Sequence, residues 1–231
     1  MNKTVVIHQP DFLPHLAFFH RFLDADLYIA LDHVQFVNGT SKSWMHRDKI
    51  KTPRGAQWLT VSVRKTERDT AINAIELSDT DWRTQNLNLI RENYREASQF
   101  DRIFAEIEKL YALPCTRLVE FTMASIDMLR RLFDIPIPCV LSSALEPAGR
   151  KNELLVDILG KVGATRYLSG MGARDYLDPA PFAEAGIEVV WQDFKHPVYP
   201  QLHGEFLPYL SSIDMLLNCD LERSREILRS C

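Results

Sequence analysis

The chain has 231 residues, of which 46% are hydrophobic and 25% are charged, and its formal net charge is -4. This composition is that of a globular protein and excludes a disordered or fibrous chain. Proteins that bind nucleic acid usually have a basic surface, and the negative net charge of this chain does not favour one. We therefore expect no nucleic-acid partner. No apolar run approaches the roughly 20 residues that a membrane-spanning helix needs, so membrane insertion is not expected.

The four cysteines are widely spaced, and none belongs to the C-x-x-C pair of a zinc knuckle. The first residues run directly into a strand pattern and lack the layout of a signal peptide. We therefore expect reduced cysteines, a cytoplasmic protein and no metal site. A domain of this length buries roughly 70% of its unfolded surface, so one domain over residues 1–231 needs no disulfide.

The first thirty residues show a strand–helix–strand pattern. Residues 5–7 form a short β-branched run that predicts a buried strand, and residues 27–31 predict a second one. Between them, residues 13–23 carry apolar side chains at helical spacing, and Pro14 suits a first helical turn. Such a unit is expected to be parallel and right-handed.

The rest of the chain continues the alternation of strands and helices. We predict a polar loop at 32–44 containing Asn38 and Gly39, strands at 57–63, 137–141, 165–168 and 187–190, helices at 82–94, 100–110, 116–133, 152–162 and 181–185, and a helical tail at 206–217. The predicted fold class is α/β, with a mostly parallel sheet, flanking helices and a helical middle segment at about 81–133.

Polar side chains follow the ends of the first two predicted strands. They are His8, Gln9 and Asp11 after the first strand, and Asp32, His33 and Gln35 after the second. Ligands of open α/β sheets bind beyond the carboxyl ends of the strands, and parallel strands would bring both groups to one edge. The alternative is ordinary loop polarity, although loops on a rigid scaffold commonly carry function.

His8 and His15 flank the loop that leads into the first predicted helix. A helix N-terminus attracts anions, so two histidines there can bind phosphate or act as acid and base. The layout is similar to the H-x-G-H signature of nucleotidylyltransferases, but Pro14 replaces its glycine and the spacing is longer. A helix cap or a packed ring remains an open interpretation of His15.

Two further groups suit an anionic or polar ligand. Arg47 and Lys49 suit a phosphate or a carboxylate, unless the run 47–49 is simply a solvated charged surface. Ser169 and Gly170 follow a late predicted strand, where glycine permits either the close approach of a ligand or a tight turn.

A last polar group, His196, Tyr199 and Gln201, follows the final predicted strand. It again places polar side chains beyond a strand end, where a ligand can bind. A proline-rich loop that is merely tied down is the alternative interpretation.

Taken together, several segments resemble the WbqC-like family over residues 5–218. They are 7–14 (IHQPDFLP), 31–36 (LDHVQF), 58–61 (WLTV), 167–170 (YLSG) and 196–201 (HPVYPQ), followed by Ser211 and Asp214. The resemblance implies a bacterial protein, often encoded among genes for surface polysaccharide such as O-antigen. It further implies a role in modifying an amino sugar or another small activated metabolite.

The polar positions that match the family are His8, Gln9, Asp32, Gln35, Arg47, His196, Tyr199 and Gln201. His15 stands where the family usually has tryptophan, and His46 stands where its pattern tends to read asparagine. The resemblance therefore does not extend to a catalytic pair of histidines. Cys219 and Asp220 also depart from the glycine common there.

Three functions follow as hypotheses. The first is a group transferase that uses a nucleotide-linked sugar or an acyl or aminoacyl donor. His8 is its general base, Asp32 orients the base or the acceptor, and His196 with Tyr199 serves as acid or anchor. The predicted substrate-binding residues are Gln9, Asp11, His15, Gln35, Arg47, Ser169, Gly170 and Gln201.

The second hypothesis is a nucleotidylyltransferase-like fold and activity that uses ATP or CTP with Mg²⁺. The third is a non-catalytic binding or scaffold protein of a biosynthetic complex, with aromatic side chains as interface anchors. The enzyme hypotheses make a small molecule the partner. The sequence leaves open the identity of the donor, any cofactor and the presence of a homo-oligomer.

Overall fold

The computed structural model describes residues 2–37 and 43–231. Five strands form a parallel sheet: β1 (Thr4–His8), β2 (Leu27–Ala30), β5 (Cys139–Leu141), β6 (Arg166–Ser169) and β7 (Glu188–Trp191). Their order in the sheet is β5-β2-β1-β6-β7. A separate antiparallel hairpin contains β3 (Arg47–Thr52) and β4 (Gly55–Thr60). The predicted α/β class with a parallel sheet is confirmed.

Eight α-helices of the described residues surround the two sheets. They are α1 (Leu16–Leu23), α2 (Trp82–Tyr94), α3 (Phe100–Tyr111), α4 (Leu118–Leu132), α5 (Asn152–Lys161), α6 (Ala180–Glu184), α7 (Ser212–Asn218) and α8 (Leu221–Arg229). Helices α2 to α4 form the predicted helical middle segment. Asn38 and Gly39, which the sequence analysis placed in a turn, lie outside the described residues.

The two faces of the parallel sheet belong to two hydrophobic clusters. Along β1, Val6 packs in the larger cluster with α1 and α4, whereas Val5 and Ile7 pack against α5 and α6. Successive side chains of a strand point to opposite faces, so His8 lies on the same face as Val6. His8 is therefore directed toward α1, where its ring centroid lies 5.3 Å from that of Phe18.

The β3–β4 hairpin corrects one of the sequence interpretations. Asp48 is 1% exposed and pairs within β3, so residues 47–49 are not a solvated charged surface. The predicted strand at 57–63 begins earlier, at Gly55, whose φ of +101° closes the hairpin turn. The charged residues of β3 concealed its strand character, because a buried carboxyl gives no hydrophobic alternation.

Two helix boundaries also differ from the prediction. Helix α1 begins at Leu16, after Pro14, because the Pro14 carbonyl accepts hydrogen bonds from the backbone N–H and the hydroxyl of Ser212. The predicted tail helix at 206–217 begins only at Ser212, since Tyr209 has a φ of +57°. Helix α8 was not predicted, although Asp220 caps it by accepting from the Arg223 N–H.

Candidate functional site

The loop between β1 and α1 is fixed from three sides. The Leu13 N–H donates to Ser125 Oγ of α4 at 3.2 Å, and the Leu13 carbonyl accepts from Ser211 Oγ at 2.6 Å. The Phe12 N–H donates to the Trp44 carbonyl at 3.1 Å. Leu13 has a φ of +43°, which costs a branched residue about 1–3 kcal/mol. Such strain persists because these contacts determine the loop conformation, and strained backbone is typical of functional loops.

His8 lies at the start of this loop, with a defined tautomer. Its Nδ1–H donates to the Gln9 carbonyl at 2.9 Å, because a carbonyl oxygen can only accept. Nε2 therefore carries the free lone pair. Burial, followed by the charge of Arg21, lowers the pKa of His8 to about 3, so the ring is neutral at pH 7. The side chain is still 36% exposed, which leaves the ring accessible to a ligand.

Asp11 is the nearest carboxyl group to His8, with its Oδ2 3.5 Å from His8 Nδ1. Burial raises the pKa of Asp11 to about 7, although Arg21 opposes that shift. Asp48 of the hairpin faces the same region, and burial raises its pKa well above the ordinary value. At neutral pH these two carboxyl groups therefore carry less negative charge than two exposed aspartates.

Arg21 is a buried residue of this site that sequence reasoning missed. It lies in α1 and is 5% exposed, and its Nε has no hydrogen-bond partner in the described part of the chain. Its Cζ lies 5.6 Å from the centroid of the Phe18 ring, which His8 also contacts. Spacing along the chain gave no signal for it, because a charged residue of an amphipathic helix usually lies on the exposed face.

His15 precedes α1 and completes what we call the β1–α1 cluster: His8, Asp11, His15 and Arg21. Burial, followed by Arg21 and His196, lowers the pKa of His15 to about 4. Its Nδ1 is enclosed and has no hydrogen-bond partner among the described residues. The cluster thus contains two neutral imidazoles from the segment before α1 and one guanidinium from the last turn of α1.

Gly170 and Gln192 border the β1–α1 cluster at the ends of β6 and β7. A Cβ on Gly170 would lie 3.5 Å from one terminal nitrogen of Arg21 and 3.9 Å from Gln192 Oε1. Gln192 Nε2 donates to the Ala17 carbonyl at 2.8 Å, which fixes the amide beside α1. Gln192 also lines a cleft of about 380 Å³ between α1 and the β6–β7 part of the sheet. Gln192 is therefore close to both the cleft and Gly170, whereas Arg21 does not itself line the cleft.

Asp32 follows β2 at the same edge of the sheet as His8, as the parallel pairing of the two strands requires. Its oxygens accept hydrogen bonds from the Ser142 and Ser143 hydroxyls, the Ser143 N–H and the Asn73 amide. Burial alone would raise its pKa, but these hydrogen bonds outweigh it and lower the pKa. Asp32 joins three segments of backbone, which favours a structural role.

His196 has both ring nitrogens engaged by backbone. Nδ1–H donates to the Pro197 carbonyl at 2.8 Å, and Nε2 accepts from the Tyr209 N–H at 3.0 Å. The ring also packs on the Tyr209 ring, which in turn lies 6.4 Å from His15. In this arrangement His196 fixes a loop beside the β1–α1 cluster and has no free lone pair for proton transfer.

Tyr199 and Gln201 belong to a buried network centred on Asp214. Gln201 Nε2 and the Tyr94 hydroxyl donate to the Asp214 carboxyl at 2.8 and 2.6 Å, and Tyr199 bonds to it as well. Lys51 Nζ lies nearby and donates to the Glu205 carbonyl at 2.5 Å. Tyr199 is buried and Gln201 is half-buried, and both belong to a network that connects α7, α2 and β3.

The other predicted binding residues lie apart from the β1–α1 cluster or at its border. Gln35 Nε2 donates to the Arg68 carbonyl at 2.7 Å, and the Gln35 side chain is exposed.

Arg47 Nε donates to the Ser43 carbonyl, and its guanidinium lies 4.4 Å from the centroid of the Trp58 ring. Trp58 contacts Trp44, which reaches His15 at 6.1 Å, so aromatic rings connect Arg47 to the cluster. Ser169, which precedes Gly170 in the chain, is buried. The Gln9 carbonyl accepts the hydrogen bond from His8 Nδ1.

The pH dependence of the free energy of unfolding tests the lowered pKa of the buried His46. It is 5% exposed, and burial, followed by Arg47, lowers its pKa to about 4 from an ordinary 6.5. The unfolded chain therefore binds a proton that the folded chain does not, so stability falls as the pH falls from 6.5 toward 4. We expect His46→Asn to reduce this acid destabilisation by about 2 kcal/mol.

The measurement is the urea unfolding free energy of both proteins at pH 7.5 and at pH 4.5. The difference between the two pH values isolates residue 46, because the remaining titrating groups are common to both proteins. Equal losses in the two proteins would show that His46 does not resist protonation in the folded state.

No helix of the described residues has the length and the apolar character to cross a bilayer. Within residues 2–37 and 43–231, no group of three or more histidine, cysteine or acidic side chains could bind a metal ion. All four cysteines are free thiols.

Comparisons with known proteins extend over almost the whole chain. The sequence model of the WbqC-like protein family matches residues 9–226. The uncharacterized protein Rv1507c of Mycobacterium tuberculosis (strain ATCC 25618 / H37Rv) is 31% identical over 232 residues, which cover 99% of each chain. No solved structure matches the chain.

Proposed function

Given that the chain belongs to the WbqC-like protein family, we propose that it is a cytoplasmic group transferase acting on an amino sugar or another small activated metabolite. The observation that carries this proposal is the free Nε2 of His8 at the carboxyl edge of the sheet, beside the buried Arg21. A pathway of surface-polysaccharide synthesis is the context that the family resemblance implies. The donor is a nucleotide-linked sugar or an acyl or aminoacyl compound.

His8 acts as the general base of the proposed transfer. The acceptor amine or hydroxyl forms a bond to the activated carbon of the donor, and the bond to the leaving group breaks. The proton of the acceptor passes to Nε2 and then to the leaving group, so His8 returns to its neutral form. The fixed Nδ1–H bond to the Gln9 carbonyl keeps Nε2 in the orientation that this step needs.

Asp11 stabilises the charged form of His8 during this step. Its carboxyl oxygen lies 3.5 Å from Nδ1, so a carboxylate there favours the imidazolium that the transfer creates. Since the pKa of Asp11 is about 7, a substantial fraction of the carboxyl is ionised at neutral pH. Asp11 therefore takes the orienting role that the sequence analysis assigned to Asp32.

A deletion strain provides the direct test of this function. We expect one amino-sugar metabolite to accumulate in it, and the surface polysaccharide to lack one substituent. Purified wild-type protein added to an extract of that strain, with the donor pool present, should convert the metabolite, as followed by mass spectrometry. Unchanged polysaccharide and no accumulated metabolite would contradict the proposal. Strong thermal stabilisation by ATP or CTP alone would favour the nucleotidylyltransferase alternative instead.

A further inference from the structure

We propose that the space between Arg21 and Gly170 binds the carboxylate of a small molecule, with the Arg21 guanidinium as its anchor. Arg21 is 5% exposed, and its Nε is enclosed without a hydrogen-bond partner in the described residues. No ion pair within 4.0 Å among the described residues includes Arg21, whose guanidinium contacts the Phe18 ring. The binding itself does not require the transfer reaction proposed above.

A buried charge without hydrogen-bond acceptors is energetically costly. A guanidinium stays protonated in proteins, and enclosing it without an anion or acceptors costs several kcal/mol. Natural proteins resolve such a site by pairing, so a buried guanidinium whose Nε lacks an acceptor indicates a ligand that supplies one. Burial lowers the pKa of Arg21, and the nearby Asp11 and tyrosine side chains offset this shift only in part.

The charges around Arg21 favour a singly charged anion. His8 and His15 are neutral at pH 7, so the guanidinium is the one cation of the β1–α1 cluster. Asp11 lies close enough to affect the pKa of Arg21, and Asp48 interacts with Asp11. A phosphate dianion would add a second negative charge beside these carboxyl groups. A carboxylate matches both the single charge and the planar fork of the guanidinium.

Gly170 provides the space for this ligand. Its φ of -72° and ψ of 151° are ordinary for any residue, so the backbone conformation does not require glycine there. A Cβ at this position would lie 3.5 Å from Arg21 Nη1 and 3.8 Å from Cζ, which is ordinary van der Waals contact. Alanine therefore fits the fold, but its methyl group occupies the volume in front of the guanidinium.

Carboxylate binding is also expected to change the basicity of His8. The positive charge of Arg21 lowers the pKa of His8 and of His15, and a bound carboxylate neutralises that charge. His8 then becomes a stronger base when the site is occupied, as a catalytic base needs to be near the working pH. This consequence, unlike the binding, rests on the proposed function.

The test is an NMR titration that observes the Arg21 Nε–H resonance, with sodium acetate as the probe and sodium chloride as the control at equal ionic strength. We expect acetate to shift this resonance saturably and chloride to shift it little. Gly170→Ala should weaken acetate binding by roughly tenfold or more, which corresponds to about 1.4 kcal/mol. The matched control is Gly172→Ala, where an added Cβ meets nothing within 4 Å, and it should bind acetate as the wild type does.

Three results would overturn the inference: no saturable shift with acetate, equal shifts with acetate and chloride, or undiminished binding by the Gly170→Ala protein. A parallel titration with inorganic phosphate checks the charge argument, and tighter binding of phosphate than of acetate would contradict the assignment to a carboxylate. If acetate binds as expected but the deletion strain shows no metabolic change, the binding site stands and the transferase proposal fails.

Discussion

Replacing His8 with asparagine is expected to reduce the transfer rate by roughly 10²–10⁴-fold, the usual contribution of a general base. The amide nitrogen of asparagine can still donate to the Gln9 carbonyl as Nδ1 does, so the loop contact is retained. What disappears is the Nε2 lone pair. The measurement is the initial rate at which the variant converts the metabolite that accumulates in the deletion strain.

His33→Asn is the matched control for this experiment. His33 also follows a parallel strand, but its Nδ1 bonds to Ser142 Oγ at 2.6 Å, away from the β1–α1 cluster. The rate of this variant should remain within about threefold of the wild type, because the half-buried side chain of residue 33 is outside the cluster and asparagine can still bond to Ser142 Oγ. A His8→Asn protein that is folded and fully active would remove the base from the proposed mechanism.

Replacing Asp214 with alanine should lower the free energy of unfolding by roughly 3–5 kcal/mol. Asp214 is fully buried, and its carboxyl accepts hydrogen bonds from Tyr94, Tyr199 and Gln201. Removing it deprives the buried Tyr94 and Tyr199 hydroxyls of this acceptor, leaves Gln201 Nε2 with only the Leu207 carbonyl at 3.0 Å, and removes a group that interacts with Lys51. Urea unfolding at pH 7 measures the loss.

The control for this prediction is Asp175→Ala, at an exposed position. Its unfolding free energy should stay within about 0.5 kcal/mol of the wild type, as for most surface substitutions. If Asp214→Ala were as stable as this control, the network of Tyr199 and Gln201 would not be a structural one. Those two residues would then return as candidates for a role in the reaction.

Local apolar patterns are what made the parallel sheet predictable. The β-branched run of β1 and the apolar run of β2 are each buried on both faces, so they form continuous apolar segments in the sequence. Helices α2 to α4 were predicted within two residues at each end, because their apolar spacing repeats over several turns. Strand β3 was missed because its inward residues include Asp48, a buried carboxyl that no pattern of hydrophobicity marks.

The candidate site was predicted in part. The parallel topology alone predicts a site at the carboxyl edge of the sheet. His8 and Asp11 lie together at this edge, and Gly170 lies near Arg21 of the same cluster. The structure does not bring into this cluster the predicted side chains that are engaged by other contacts. His196 donates to the backbone of its own loop, and Gln201 bonds to Asp214. Polar residues after a strand look alike in sequence whether they face a ligand or satisfy buried backbone.

Arg21 is a residue of the site that the sequence did not indicate. An arginine in the last turn of an amphipathic helix usually lies on the exposed face and interacts with the helix dipole. Here five of the eight residues of α1 are buried, Arg21 among them, because the helix packs between the sheet and the helices beyond it. That packing is long-range information, and spacing along the chain does not contain it.

The central claim is that His8 is a neutral base with its lone pair on Nε2, and NMR of the histidine ring nitrogens tests it most directly. The predicted result is the Nδ1–H tautomer of His8 at pH 7, with titration well below pH 6.5, as burial and Arg21 require. Loss of the Arg21 charge in Arg21→Gln should raise the pKa of His8. An Nε2–H tautomer, or a His8 that is already protonated at pH 7, would contradict the account.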